Sequence, residues 1–409
     1  MNNKKEKYTV LLLSAPIGSG HRLAAEALKQ VLIKHPEVEV IHGNVFDFFP
    51  HFLGSTFLRC YLWILGRSPW LYELAYRWGN SQGGSLWLRG LINRSLAWLG
   101  GSYLRSVQPD AVLATHATPA GIMCYYKEKH PEVFLGAVVT DFTVHKWWLC
   151  EGVDTYFVAD ARLKEKITVP AQVEAYGIPV RQELQGNNYC ACRASYGWKQ
   201  EERVCLIMGG GEGLLPMEEM LSALTAAHIR GLRLVAITGH NEKLAHRLRQ
   251  RFAEQISKAS LAANPLEVYG FRQDVPQMLA GADMIITKAG GLTCAEVLAS
   301  GLELVLYKPL PGQEQGNASF LQAHYAANVC QSLDDLVAAV GRVVNEARPV
   351  EPQEPRGNPL AAEQIVLLCC KNWLLEQLFK NLPLDRWGFL HYNERKITFS
   401  AWKKQVLFR

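Results

Sequence analysis

The sequence predicts an α/β protein made of two doubly wound halves that face each other across a cleft. Three observations predict it. Short runs rich in Val, Leu and Ile alternate with helical stretches; the alternation occurs twice, on either side of a polar join near residues 180–200; and almost every apolar run ends in Gly, His or Asp. Apolar runs of this kind between helices belong to parallel sheets covered on both faces. Ligands of such sheets bind outside the carboxyl ends of the strands.

The elements follow in order. "TVLLLSA" is a strand, His21–Ile33 a helix and "VEVIHGN" a second strand. After a Trp-rich stretch, "DAVLATH", "FLGAVVTD" and "TYFVAD" are further strands. The join is polar, lacks an apolar period and holds one short helix. "VCLIMGGGEG", "LRLVAITGHN", "LEVYGF", "DMIITKAGG" and "LELVLYKPLPG" then repeat the architecture without repeating the sequence. The expected division is an N-terminal domain over 1–185, with an insertion at about 48–108, a C-terminal domain over 186–350, and a helix and tail over 351–409.

Composition sets the function classes. Half of the 409 residues are apolar and a fifth charged, an ordinary globular balance, and the net charge of +5 is too small to point to nucleic acid. The ten cysteines contain no Cys-x-x-Cys and no zinc spacing, the pattern of reduced thiols in a cytosolic protein, and no metal site is expected. The basic, then apolar, N-terminus lacks a cleavage signature and reads as a first strand. No apolar run is long enough to span a bilayer.

Four stretches carry candidate chemistry. In "GSGHRLAAEAL", Gly18 and Gly20 allow close backbone approach, and the helix they open offers free N–H groups to an anion. A dinucleotide site is a poor match, because Leu23 stands where a third glycine is needed and the second strand ends in "IHGN". His21 opens the helix and suits a general base; the alternative is a histidine that caps or packs locally. In "VVTDFTVHKWW", Asp141 and His145 follow a buried strand. Asp141 either orients a histidine or accepts a hydroxyl, or makes a turn. His116 in "ATHATPAG" is a strand-end histidine with the same two readings. "MGGGEG" places Gly209 and Gly210 where backbone amides wrap phosphate, or where a tight turn is needed. "TKAGGLTCAEVLASG" and "YKPLPGQEQGNASFL" place Gly290, Gly291 and Thr293 at a helix start, Glu296 one turn in, and Gln313, Glu314 and Asn317 in a polar cluster beside a Pro/Gly loop.

The stretch Gly270–Leu321, "GFRQDVPQMLAGADMIITKAGGLTCAEVLASGLELVLYKPLPGQEQGNASFL", closely resembles glycosyltransferase family 28, nearest its monogalactosyldiacylglycerol synthase and processive diacylglycerol glucosyltransferase branch. "GSGHRLAAEAL", "VVTDFTVHKWW", "VDTYFVAD" and "YGIPVR" resemble that branch's N-terminal motifs, and the resemblance covers about residues 8–370. It implies a GT-B fold and inverting transfer from UDP-glucose or UDP-galactose to diacylglycerol or a related lipid, with no cofactor. It implies that Gly290, Gly291, Leu292 and Thr293 hold diphosphate, Glu296 the ribose, and Gln313, Glu314 and Asn317 the sugar. Phe271 is implied beside the uracil, Gly20, Gly209 and Gly210 along the donor, and His21 with Asp141 at the reacting hydroxyl. This chain has Lys288-Ala289-Gly290-Gly291 where the branch often has Lys-Pro-Gly-Gly, and its tail after Cys370 runs past the usual end. Two other readings of the scaffold are a UDP-sugar epimerase and a non-catalytic nucleotide-sugar sensor at a membrane.

Residues 48–108 hold five tryptophans and six arginines against one acid, Glu73; residues 371–409 hold three tryptophans and eight Lys or Arg against three acids. Such stretches suit helices lying in the headgroup region of an anionic membrane; the alternative is ordinary packing on the domain. The expected location is peripheral, on the cytoplasmic face of the cell membrane.

Overall fold

The computed structural model describes residues 7–15, 19–48, 84–257, 264–346 and 355–381. Gly18, Trp63, Trp70, Trp78 and the tail beyond Asn381 lie outside the described residues. Both sheets belong to the compact unit that ends at Val366; a second unit begins at Leu367.

The first sheet contains β1 (Tyr8–Ser14), β2 (Val38–Asn44), β3 (Ala111–Ala114), β4 (Phe134–Val138), β5 (Thr155–Phe157) and β6 (Gln172–Glu174), in the order β2-β1-β3-β4-β5-β6. The second contains β7 (Arg203–Met208), β8 (Leu232–Ile237), β9 (Leu266–Tyr269), β10 (Met284–Thr287), β11 (Glu303–Tyr307) and β12 (Asn328–Cys330), in the order β12-β11-β10-β7-β8-β9. Every pairing is parallel. The strand order reverses between β1 and β3 and between β7 and β10, which opens a crevice at the carboxyl ends of those strands.

The helices that matter for the site are α1 (Ser19–Leu32), α2 (Gly84–Leu99), α3 (Gly101–Val107), α4 (Ala117–Lys127), α5 (Tyr189–Ser195), α6 (Met217–Ala226), α7 (Glu242–Arg251), α8 (Ala253–Ser257), α9 (Val275–Gly281), α10 (Gly291–Ala299) and α11 (Gln313–Tyr325). They are followed by α12 (Leu333–Asn345) and α13 (Ala361–Asn381). In α1, Ala24, Leu28, Val31 and Leu32 recur at helical spacing and are all buried. By contrast, α10 is apolar nearly all round and almost wholly buried, as a helix enclosed between layers must be.

One apolar cluster spans the two halves. Ala24 of α1 and Phe142, just past β4, pack with Leu292 of α10 and with Ala318 and Leu321 of α11. The polar join also holds the second half together. Arg193 of α5 is fully buried and donates to Asp283 at the foot of β10 (3.0 Å), to the Gly281 carbonyl (3.0 Å), to the Tyr189 hydroxyl (2.9 Å) and to the Glu202 carbonyl (2.6 Å). Arg193→Met leaves these acceptors short of a donor and leaves Asp283, in a buried place, with only the longer contact to Arg203 at 3.4 Å as its ion pair. We expect a loss of about 3–5 kcal/mol, read as a lowered midpoint in urea denaturation.

Candidate active site

His21 lies in the first turn of α1, at the carboxyl end of the first sheet. Its Nδ1 is 2.8 Å from the Thr115 carbonyl oxygen and 2.7 Å from the Thr140 hydroxyl. A carbonyl only accepts, so Nδ1 carries the proton and Nε2 keeps its lone pair. Thr115 grips the residue twice, since its hydroxyl donates to the His21 carbonyl (3.0 Å). The ring is densely surrounded but keeps part of its surface open. Burial pushes its pKa below the ordinary 6.5, while the charge of Asp141 and the bond to Thr115 pull it back up.

The other histidines of the segment do different work. His116 stands edge-on to His21, with ring centres 4.7 Å apart, and its Nδ1 accepts the Thr118 N–H at the start of α4. Burial holds it neutral, well below the usual histidine range. The Nδ1 of His145 accepts the Trp147 N–H (3.1 Å) and caps a short 3-10 turn. Both are local caps.

Asp141 departs from the expectation that it orients the histidine. Its carboxylate accepts instead from two amides of α11: Gln313 Nε2 at 2.5 Å and Asn317 Nδ2 at 3.0 Å. The imidazole is oriented by Thr115 and Thr140, and Asp141 reaches it only through charge. Asn317 is fully buried and also donates to the Ala289 carbonyl and accepts the Phe142 N–H.

On the facing side, α10 starts at Gly291 after an N-cap, Gly290, that supplies no side-chain bond, so the first-turn N–H groups are left for another partner. The helix start lies against Thr140 and Asp141: a Cβ built on Gly291 would lie 2.0 Å from the Thr140 carbonyl oxygen and 2.9 Å from Asp141 Oδ1. Leu292 is buried, its Cβ 3.6 Å from a Cβ built on Gly20, and Thr293 is half-buried in the first turn. Gly210 has φ +76°, which turns the loop after β7 toward Lys288. Gly209 sits so tightly against the Leu214 and Leu215 amides that a Cβ would clash with them. Lys288 pairs with Glu314 (2.9 Å), which also accepts the Leu310 N–H. Phe271 is exposed and stacks on His240, with ring centres 4.3 Å apart. Glu296 is not presented to the cleft: both its oxygens are taken by Arg181, at 2.6 and 3.0 Å, and its side chain is 3% exposed.

Two family models match this chain: monogalactosyldiacylglycerol (MGDG) synthase over residues 21–180 and the glycosyltransferase family 28 C-terminal domain over residues 204–358. The chain belongs to glycosyltransferase family 28. It is 27% identical to a processive diacylglycerol beta-glucosyltransferase of Bacillus pumilus, over 86% of this chain and 90% of that one. It is 28% identical to a probable monogalactosyldiacylglycerol synthase 2 of Oryza sativa subsp. indica, over 76% of this chain and 68% of that one. Among solved structures, Acinetobacter baumannii MurG superposes with a TM-score of 0.58 at 16% identity, covering 89% of this chain and 99% of MurG, which establishes the shared GT-B fold.

Within this family 28 chain, the structure brings together His21, Asp141, Gly291, Gln313 and Asn317. Phe271, Gly209 and Gly210 line the ends of β9 and β7, and Glu296 lies apart on Arg181. Sequence reasoning missed Thr115, Thr140, Arg181, His240 and Lys288. Thr115 and Thr140 sit next to the strand-end residues His116 and Asp141, so their position carried a signal. Arg181 closes the quoted motif "YGIPVR", but its pairing with Glu296 carried no signal, because the two are 115 residues apart.

Gly20 and Gly291 separate packing from propensity. Gly20→Ala makes only an ordinary contact with Leu292 and gains helix propensity, so its stability should hold or rise by up to about 1 kcal/mol. Gly291→Ala meets backbone at 2.0 Å and should cost about 1–3 kcal/mol. Thermal melting of both variants checks the contrast; equal effects would show that the halves do not meet at Gly291.

Proposed function

We propose that this protein is an inverting glycosyltransferase that moves a hexose from UDP-glucose or UDP-galactose to diacylglycerol or a related membrane lipid. One observation carries the reading. A histidine with its Nδ1 proton fixed and its Nε2 lone pair left over meets an uncapped helix N-terminus across a single segment, Thr140–Asp141. The relatives named above are, by their names, diacylglycerol glycosyltransferases.

In this mechanism the nucleotide sugar lies on the second half, its diphosphate at the N-terminus of α10 and beside Lys288, its base near Phe271. The lipid hydroxyl reaches the anomeric carbon from the side of the first half. His21 Nε2 takes the hydroxyl proton as the oxygen attacks, and the bond to UDP breaks on the opposite face, so the configuration inverts. The charge on departing UDP is met by helix N–H groups and by Lys288, a role that needs no metal. Closing the halves excludes water from the transfer.

The lipid comes from a membrane, and α2 supports a contact with its surface. Trp87, Leu91, Arg94 and Trp98 fall on one face of this helix and are exposed, Trp87 to 72% and Trp98 to 81%. The opposite side is anchored: Asn93 is buried, and Arg89 donates to the carbonyls of Lys146, Trp147 and Leu149. No helix among the described residues is long and apolar enough to cross a membrane. An exposed Trp-Leu-Trp face with an arginine suits the headgroup layer of an anionic bilayer.

Three outcomes test the reading. UDP release from UDP-glucose, UDP-galactose and UDP-N-acetylglucosamine should depend on diacylglycerol in vesicles and favour one donor, and His21→Ala should lower it by roughly 10²–10⁴-fold. Donor interconversion without lipid would indicate an epimerase instead. The base must be neutral, so kcat/KM should fall as pH drops through the depressed His21 pKa and stay level above it. Because the Asp141 charge raises that pKa, Asp141→Asn should move the acid limb to lower pH; an unmoved limb assigns the titration elsewhere. Trp87→Ala with Trp98→Ala should weaken sedimentation with anionic vesicles while leaving UDP binding unchanged.

A further inference from the structure

We propose that Asp141 stands in for the donor: its carboxylate occupies the amides of α11 that the sugar must use, and donor binding has to displace it. The proposal rests on the donor site assigned above. Asp141 belongs to the first half, yet the hydrogen bonds to its carboxylate come from the second, from Gln313 at 2.5 Å and Asn317 at 3.0 Å, and the residue is only 6% exposed. Its Oδ1 also lies against the start of α10, 2.9 Å from where a Cβ on Gly291 would be. A carboxylate held by two side-chain amides and set against a helix N-terminus sits where an anion or a hydroxylated ligand would be held.

Two physical facts make this occupancy exclusive. The first is hydrogen-bond capacity. A primary amide has two N–H donors, and both of those on Asn317 are in use, on Asp141 and on the Ala289 carbonyl, while its oxygen accepts the Phe142 N–H. A sugar hydroxyl gains a bond from Asn317 only by taking one from Asp141 or from the Ala289 carbonyl, and of these only the Asp141 side chain can swing away without moving backbone. The second is charge. A diphosphate brought to the first turn of α10 would lie beside the Asp141 carboxylate, and like charges side by side oppose binding.

The exchange has a consequence for catalysis. Displacing Asp141 releases its carboxylate from α11, frees it on the side where the lipid hydroxyl arrives, and does so only when a donor has taken its place. Asp141 is thus a positioning residue that couples donor occupancy to the acceptor side of the cleft. It reaches His21 by charge alone.

The test is the affinity for UDP, measured by isothermal titration without lipid on the full chain carrying Asp141, Asp141→Asn or Asp141→Ala. Removing a competing anion should tighten UDP binding by roughly tenfold or more, while lipid-dependent turnover falls. This split is peculiar to the proposal: loss of a donor ligand would weaken UDP binding, and loss of a purely acceptor-side group would leave it unchanged. Either result in the isosteric Asp141→Asn variant overturns the proposal, whatever Asp141→Ala does to folding. UDP binding by wild type with no tightening in the variants rejects the displacement and leaves the donor site standing. Absence of UDP binding in all three proteins removes the donor site and the proposal together.

Discussion

The meeting of the α10 N-terminus with the Thr140–Asp141 segment is the constraint on which the rest of the site depends. Gly291 has no side chain because the Thr140 carbonyl occupies the space a Cβ would need. That approach brings Asp141 within reach of Gln313 and Asn317, and it sets Thr140 between α10 on one side and the His21 imidazole on the other. A single residue of larger volume at position 291 would separate the base from the helix end that faces it. The apolar contact of Phe142 and Ala24 with α10 and α11 surrounds this polar seam and keeps it from water.

Electrostatics within the seam are balanced against each other. Burial disfavours the imidazolium at His21, while Asp141 and the Thr115 carbonyl favour it. The result is a base whose pKa is drawn below the ordinary histidine value and whose Nε2 lone pair is still able to accept a proton. His116, which lacks such a carboxylate and faces two other histidines, is pushed much further down and serves as a cap. The difference between two histidines 4.7 Å apart therefore comes from their neighbours, since both rings are densely surrounded.

Much of the architecture was legible in the sequence, and the omissions have physical reasons. Ten strands stand where Val, Leu and Ile run between helices. The two that escaped notice, β6 and β12, are three-residue edge strands with at most one buried residue each, too short to show a pattern. The glycines and polar residues at strand ends were legible because parallel sheets place their ligands there. What could not be read was partnership. Asp141 looked like an orienting group for a nearby histidine, but its partners are 172 and 176 residues away. Glu296 looked like a hydroxyl acceptor, and it is a buried counterion of Arg181. A sequence reveals which side chains can act; long-range pairing decides which are already occupied.

Arg181 and Glu296 show why occupation matters to function. Their bidentate pair ties the segment that follows the first sheet to the middle of α10, with little exposure on either side chain. Separating such a pair leaves a charge in a place with little water, at a cost of about 3–5 kcal/mol when one partner is removed. The pair therefore fixes the body of α10 firmly to the first half, whereas the start of the same helix carries no side-chain cap. A helix anchored at its middle and uncapped at its N-terminus can take a partner there without losing its place in the fold. That asymmetry is what a site needs if it is to admit a charged donor and still close on it.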